Sequence, residues 1–178
     1  MGKRSNFKRR PQDAYYSPPE VVDPLLPHLP REPFTFWEPC AGAGDLSIAI
    51  VSKALSQHYS TDISPGVDWV AQVDAFKMPE EDVSGYDLCI TNPPWSRPIL
   101  HPMIEHFSNM FPTWLLFDAD WIHTKQSIPY LPRLRKIVSV GRVSWMQNGT
   151  SGKDNCAWYL FDTPEDGRVI EFVGRADK

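Results

Sequence analysis

Residues 34–55 read FTFWEPCAGAGDLSIAIVSKAL and contain three different patterns in succession. Residues 34–37 form a short apolar strand, and residues 38–44 form a loop of mainly small residues. Residues 45–55 place apolar side chains three to four positions apart, as an amphipathic helix does. A strand that passes through a small-residue loop into a helix is typical of the first unit of a parallel α/β sheet.

The rest of the chain continues this alternation. Helices are predicted at 20–26 and 98–110, and further strands at 57–61, 69–73, 86–91, 113–118, 137–146, 157–162 and 169–173. We therefore predict an α/β fold with a mostly parallel, twisted sheet, helices on both faces and an antiparallel late hairpin. Ligands of such sheets bind beyond the carboxyl ends of the strands.

Length and composition exclude several classes of protein. The 178 residues fit a flexible basic arm over residues 1–14 and one domain over 15–178. Hydrophobic residues make up 42% of the chain, which excludes wholesale disorder, and no apolar run approaches the roughly 20 residues of a membrane span. There is no secretory signal, and the three cysteines and five histidines lack metal-ligand spacing. We expect a reducing cytoplasm, in a prokaryotic cell or the host of a mobile element or virus, and no bound metal.

Charge is strongly segregated along the chain. Residues 1–10 hold five basic groups and no acid, residues 11–96 hold three basic and thirteen acidic groups, and residues 97–153 hold seven basic and three acidic groups. A basic arm and a basic second half can attract a polyanion although the net charge is -4. On charge alone, an ordinary solvated surface is the better explanation.

Three acidic residues stand where predicted strands end. Glu38 opens the small-residue loop, so a cationic or zwitterionic ligand fits there better than a phosphate. Asp62 follows the second strand and can hold ribose hydroxyls, or else cap a helix. Asp74, followed by Ala75 and Phe76, can accept a hydrogen bond from an adenine amine, or else form a turn.

The tetrapeptide Asn92-Pro93-Pro94-Trp95 is the most specific signal in the chain. The prolines lack N–H groups and fix φ, so the segment leaves the sheet and directs carbonyl oxygens into the cleft. Together with the Asn92 carbonyl, these are two acceptors for the hydrogens of an exocyclic amine. Trp95 offers a face for base stacking, worth roughly 1–3 kcal/mol. A proline-stiffened turn with a packing Trp is the alternative, but the neighbouring loop and acids favour the amine site.

Together these motifs resemble the DNA adenine-N6 methyltransferases that use S-adenosylmethionine, over residues 15 to about 158. The resemblance implies a Rossmann-like class I methyltransferase fold and S-adenosylmethionine as cofactor. Residues 38–44 are similar to the first cofactor motif of the family, 62–63 to its ribose and adenine contacts, 74–76 to a further adenine contact, and 92–95 to its catalytic [DNS]-P-P-[YFW] motif.

Two further segments extend the resemblance. Residues 16–20 are similar to the segment that touches the methionine end of the cofactor, and residues 142–145 with 155–158 to the late hairpin near the flipped base. The resemblance implies no metal, catalytic roles for Asn92, Pro93, Pro94 and Trp95, and substrate contacts from Trp95, Arg142, Trp145 and Lys153. The implied cofactor-binding residues are Tyr16, Ser17, Pro18, Glu38, Pro39, Cys40, Ala41, Gly42, Gly44, Asp62, Ile63, Asp74, Ala75 and Phe76.

The implied reaction is direct methyl transfer to the N6 amine of an adenine that has left the duplex. Asn92 and the Pro93 carbonyl would hold the amine while Trp95 stacks on the base. The chain has no room after the hairpin for a separate target-recognition region, so we expect low sequence selectivity. Residues 1–10, with Arg133, Arg135, Lys136 and Arg142, would then hold the DNA backbone.

Other functions remain open from sequence. The same tetrapeptide occurs in methyltransferases that act on RNA bases or on protein glutamine. A catalytically silent subunit that binds nucleic acid for a partner is a second alternative. A nicotinamide-dependent dehydrogenase would have G-x-G-x-x-G, and Ser47 stands where its third Gly belongs. The oligomeric state is not indicated by the sequence.

Overall fold

The computed structural model describes residues 17–145, 154–167 and 169–175. Its strands are β1 (Phe34–Glu38), β2 (Ser56–Asp62), β3 (Ala71–Gln72), β4 (Leu88–Thr91), β5 (Thr113–Asp118), β6 (Leu134–Arg142), β7 (Asn155–Phe161) and β8 (Glu171–Val173). Its α-helices are α1 (Asp45–Val51), α2 (Glu80–Val83) and α3 (Arg97–Met110). Short 3-10 segments lie at Pro19–Val21, Leu26–His28, Ala75–Lys77, Ala119–His123 and Lys125–Arg133. The predicted basic arm, residues 1–14, lies outside the described residues.

The strands form one sheet in the order β3-β2-β1-β4-β5-β7-β6-β8. Every neighbouring pair is parallel except those of β7, which runs antiparallel to both β5 and β6. The predicted mostly parallel sheet with an antiparallel late hairpin is confirmed. The strand predicted at 169–173 is observed as β8 (Glu171–Val173), and its parallel pairing with β6 beyond the hairpin was not indicated by the sequence.

Side chains that alternate along the strands separate two apolar layers. Phe36 and Ile90 face one layer, which contains α1 and the 3-10 segments near residues 19–28. Trp37 and Phe117 face the other, which contains α2 and α3. The predicted helices on both faces are therefore confirmed. Within the described segments, no helix is long and apolar enough to cross a bilayer.

Several predicted boundaries are wrong. The predicted helix at 20–26 is replaced by separate 3-10 turns, because Pro24 and Pro27 supply no N–H for a continuous helix. Its apolar residues are buried nonetheless, and Trp158 Nε1 donates to the Val21 carbonyl at 2.8 Å. The structure ends α1 at residue 51 instead of 55, reduces β3 to two residues, moves β6 from 137–146 to 134–142, and adds α2.

Replacing Phe107 by Ala should lower the free energy of unfolding by about 3–5 kcal/mol, because it would leave a cavity in the α3 layer. Phe107 is fully buried, and its ring meets the ring of Trp37 edge-on at 5.4 Å. Urea unfolding measures this loss. Phe172→Ala is the matched control, since that side chain is 68% exposed and should change stability by less than about 1 kcal/mol. Equal losses in the two variants would contradict the assigned core.

Candidate functional site

The carboxyl ends of β1, β2 and β4 border a cleft of about 380 Å³, a volume in the range of small-molecule sites. Because these strands are parallel, segments far apart in sequence meet at one edge of the sheet. The predicted site residues that line the cleft are Ser17, Glu38, Pro39, Cys40, Ala41, Gly42, Asp62, Ile63, Asp74, Ala75, Phe76, Asn92 and Pro94. Pro18, Gly44, Pro93, Trp95, Arg142 and Trp145 are not among its lining residues. Tyr16 and Lys153 lie outside the described residues.

Asp62 ties the loop after β1 to the loop after β2. Its Oδ2 accepts from the backbone N–H of Gly42 at 2.8 Å, and its Oδ1 accepts from that of Ser64 at 2.7 Å. Gly42 takes this position with φ at +56°, a conformation that favours glycine. Since each carboxylate oxygen can accept more than one hydrogen bond, Asp62 keeps acceptor capacity for hydroxyl groups of a ligand.

Gly44 is required by close packing beneath the loop. Its φ is +82°, and a Cβ atom built there would lie 2.0 Å from the ring of Trp69. Trp69 in turn meets the ring of His58 edge-on at 5.6 Å. Gly44 therefore allows the loop to pack against Trp69, and it does not line the cleft.

Glu38 is buried at the base of the cleft and belongs to a chain of hydrogen bonds. Its carboxyl accepts from Ser47 Oγ. The hydroxyl groups of Ser47 and Ser60 lie 2.8 Å apart, and His58 Nδ1 lies 2.8 Å from Ser60 Oγ. Burial raises the pKa of Glu38 to about 8. The sequence suggested a fixed negative charge here, but at neutral pH Glu38 holds its proton unless a cation lies close by.

Asp74 and Phe76 form a turn at the other side of the cleft. The Asp74 carboxylate accepts from the Phe76 N–H at 3.1 Å and pairs with Lys77 at 3.2 Å. The hydrogen bond from Lys77 is the main reason that the pKa of Asp74 is lowered. The neighbouring Phe76 is 42% exposed. An ionised acceptor and an accessible apolar ring therefore lie side by side.

Two apolar residues that line the cleft were not predicted from the sequence. Ile99 and Met103 of α3 line the cleft opposite the loop after β1. They are four residues apart on a helix that directly follows the Asn92 tetrapeptide, so they share one helix face. That spacing was the available signal. Asp45, Leu46 and Ser64 also line the cleft, each within two positions of a residue that was predicted.

Asn92 lies at the end of β4 with both ends of its amide bonded. Nδ2 donates to Ser17 Oγ at 3.1 Å, and Oδ1 accepts from Trp95 Nε1 at 3.2 Å. Pro93 is buried and Pro94 faces the cleft. A side-chain carbonyl is thus held at the edge of the same cleft as Asp62 and Asp74, 30 and 18 residues earlier in the chain.

Trp95 lies beside the cleft, where its indole is hydrogen-bonded within the protein. It is half-buried, and its N–H donates to Leu116 O at 3.2 Å as well as to Asn92. Its ring lies perpendicular to that of Trp145, with ring centroids 5.6 Å apart. Trp95 and Trp145, each predicted to contact substrate, therefore contact one another beside the cleft and do not line it.

The basic residues at and just before β6 lie at opposite ends of this strand. Arg142 is exposed at its end, on the cleft edge, whereas Arg133, Arg135 and Lys136 lie at its beginning. Arg135 is buried and donates to the carbonyls of Pro132 and Thr163, and Lys136 pairs with Glu171 at 2.8 Å. Arg133, Arg135 and Lys136 therefore lie away from the cleft, and their contact with a DNA backbone stays a prediction.

Arg97 is a basic group near the site that the sequence did not single out. It lies at the start of α3, two residues after the tetrapeptide, and pairs with Asp118 at 3.2 Å. Because Asp118 ends β5, this ion pair lies on the cleft edge of the sheet. The short separation from Trp95 in sequence was the signal that could have identified it.

Neither metal binding nor thiolate chemistry is supported by the described part of the chain. Among those residues, no group of three or more His, Cys, Asp or Glu side chains could hold a metal ion. Burial raises the pKa of the Cys40 and Cys89 thiols, so neither is a thiolate near neutral pH.

The structure is similar to solved structures that include a methyltransferase, a dimethyladenosine transferase and a modification subunit. A provisionally named RNA methyltransferase from Pyrococcus horikoshii has a TM-score of 0.59 at 13% identity, with 93% of this chain and 94% of that chain covered. A dimethyladenosine transferase from Plasmodium falciparum has a TM-score of 0.55 at 15% identity, with 86% and 63% covered. The modification subunit of a provisionally named type I restriction enzyme from Vibrio vulnificus has a TM-score of 0.55 at 11% identity, with 87% and 48% covered.

These similarities establish the fold. No protein-family model matches the sequence, and no curated protein matches it. The chain spans 63% of the length of the Plasmodium protein and about half of the Vibrio protein. The predicted Rossmann-like class I methyltransferase fold is confirmed.

Glu38→Gln should gain stability relative to the wild type as the pH rises from about 5 to 8. The native protein keeps the Glu38 proton up to about pH 8, whereas the unfolded chain loses it near pH 4.5. Between these values the native state binds more protons, so wild-type stability falls with rising pH, by on the order of a few kcal/mol. Glutamine is neutral throughout and removes this loss.

Urea unfolding at several pH values measures the effect. Glu81→Gln, at an exposed position, controls for the removal of one carboxyl group. Curves for Glu38→Gln and the wild type that run parallel from pH 5 to 8 would show that Glu38 is ionised in the folded protein.

Proposed function

We propose that this protein is an S-adenosylmethionine-dependent methyltransferase that acts on the exocyclic N6 amine of adenine in DNA. The observation that carries the proposal is one cleft lined by Asn92, Asp62 and Asp74. An acceptor suited to an amine thus shares a small-molecule cleft with acceptors suited to a nucleoside. The confirmed fold supports the same reaction class.

The cleft supplies a partner for each part of the proposed cofactor. Asp62 has acceptor capacity for the ribose hydroxyls, and Ile63 and Phe76 expose apolar side chains for the adenine. Asp74 is an ionised acceptor for the adenine amine. Glu38 lines the cleft and would lie at the methionine end, where the positive charge of the cofactor would draw the proton from its carboxyl.

Methyl transfer then needs orientation more than acid or base strength. Asn92 Oδ1 and the Pro93 backbone carbonyl would accept the two hydrogens of the amine and so direct the nitrogen lone pair toward the methyl group. Bound S-adenosylmethionine would supply the methyl group: the carbon–nitrogen bond would form as the carbon–sulfur bond breaks, the positive charge would pass from sulfur to nitrogen, and a proton would leave to water. Fixed carbonyl dipoles stabilise the developing ammonium.

Nucleic acid is the proposed substrate class for two reasons. Arg142 is exposed and Trp145 half-buried on the cleft edge, and they offer a cation for phosphate and an aromatic surface for a base. The similar proteins are named for adenosine, RNA or restriction-modification activity. The Vibrio subunit favours DNA, whereas the Plasmodium and Pyrococcus proteins favour an RNA adenine as the second candidate.

Asp62→Ala should weaken S-adenosylmethionine binding by about 10- to 150-fold, because a charged acceptor of two hydroxyl groups is lost. The variant also frees the Gly42 N–H that holds the loop. Asp62→Asn, which keeps one acceptor oxygen, should lose less. Calorimetry without substrate measures both, with the exposed Asp68→Ala as control. Unchanged affinity in Asp62→Ala would remove this residue from the cofactor site.

Asn92→Ala should keep the fold and cofactor binding but lose methyl transfer by at least about 100-fold, because its carbonyl acts on the amine.

Purified protein is incubated with labelled S-adenosylmethionine and a panel of DNA, RNA and protein. Nucleoside analysis should find N6-methyladenine in DNA. Label confined to RNA adenine or to protein glutamine would replace the proposed substrate, and no label in any substrate would favour a silent subunit. The number of methylated sequence contexts measures selectivity.

A further inference from the structure

The amide of Asn92 is bound at both ends within the protein. Nδ2 donates to Ser17 Oγ at 3.1 Å, and Oδ1 accepts from Trp95 Nε1 at 3.2 Å. Ser17 is 6% exposed, and both Asn92 and Trp95 are half-buried, so these hydrogen bonds are partly shielded from bulk water. An amide held in this way has one preferred orientation.

The two hydrogen-bonding partners of Asn92 differ in whether they fix the orientation of its amide. A serine hydroxyl can donate or accept, so Ser17 satisfies either end of the amide. An indole N–H can only donate. Turning the Asn92 amide by half a rotation would set its NH₂ group against the Trp95 N–H, two donors facing each other. Trp95 therefore decides which end of the amide carries the oxygen.

The Trp95 N–H is itself fixed by the sheet. It also donates to Leu116 O at 3.2 Å, and Leu116 is fully buried on β5. β5 is paired on both sides, with β4 and with β7. The Trp95 ring packs against both apolar layers. The core of the protein, and not a surface side chain, thus places the donor that orients Asn92.

We propose that Trp95, assisted by Ser17, is a positioning residue that presents Asn92 Oδ1 to the target amine. This inference rests on the proposed function and assigns the indole N–H a role that a stacking face does not supply. A carbonyl oxygen has two lone pairs, so Oδ1 accepts from Trp95 with one and keeps the other for the amine. Phenylalanine at position 95 would retain a ring but no N–H.

The direct test replaces Trp95 by β-(3-benzothienyl)alanine in the full-length chain, which keeps the shape of the indole but substitutes sulfur for the N–H. The kcat for methyl transfer to adenine-containing DNA should fall about tenfold, while the KM for S-adenosylmethionine stays the same. The same replacement at Trp114, which is also buried on β5 but does not line the cleft, is the matched control and should leave kcat unchanged.

The same replacement in an Asn92→Asp variant distinguishes an orienting role of Trp95 from a packing role. In Asn92→Asp both side-chain oxygens accept, so no orientation has to be selected, and the benzothienyl replacement should cost less than about threefold. A packing or stacking role for Trp95 would instead give the same loss in both backgrounds. Ser17→Ala should lower kcat, and Ser17→Thr should restore it by returning the hydroxyl.

A measurement independent of turnover completes the test. The side-chain amide resonances of ¹⁵N-labelled Asn92 should shift on the Trp95 replacement and on Ser17→Ala, but not on the Trp114 replacement. Wild-type kcat in the Trp95 variant, or unchanged Asn92 resonances, would overturn the inference. If the wild type methylates no substrate, the proposed function fails, and the resonances still decide whether Trp95 orients Asn92.

Discussion

The parallel pairing of β1 with β2 and β4 is the constraint on which the cleft depends. Glu38 lies opposite Ser60 in this register, and Trp37 lies opposite Cys89, so the three strands end at nearly the same height. The residues that follow those strands must then share one edge of the sheet. The Asp62 carboxylate uses this proximity by accepting from the Gly42 N–H, which links two of the loops.

A buried acid is tolerated at this edge because its hydrogen-bonding partners are also inside. Glu38, Ser47 and Ser60 are all buried, and each contributes to a chain that ends at the half-buried His58. Burial favours the neutral form of Glu38, which a cationic ligand would reverse. The protonation state of Glu38 is therefore linked to what occupies the cleft, and cofactor affinity would depend on pH for the same reason.

The other side of the cleft is organised around Asn92. Its amide connects Ser17, from the segment before β1, to Trp95, whose N–H reaches the carbonyl of Leu116 on β5. Three distant parts of the chain thus determine the orientation of one carbonyl group. Strand ends and packed aromatic rings support this carbonyl, and rigid support of that kind is what the proposed catalysis by orientation would need.

Local pattern determined the fold class, the two-layer core and most of the cleft lining, because strand and helix periodicities and the acids at strand ends are properties of neighbouring residues. The helix predicted at 20–26 failed for a local reason, because its prolines divide it into turns. Elsewhere, local pattern failed where distant contacts decide the outcome, as when strand direction placed Arg135 at the end of β6 opposite Arg142. Burial, a property of the folded chain, set the pKa of Glu38. The motif indicated an aromatic face at Trp95, but only tertiary structure brought its N–H to the Leu116 carbonyl on β5, in addition to Asn92.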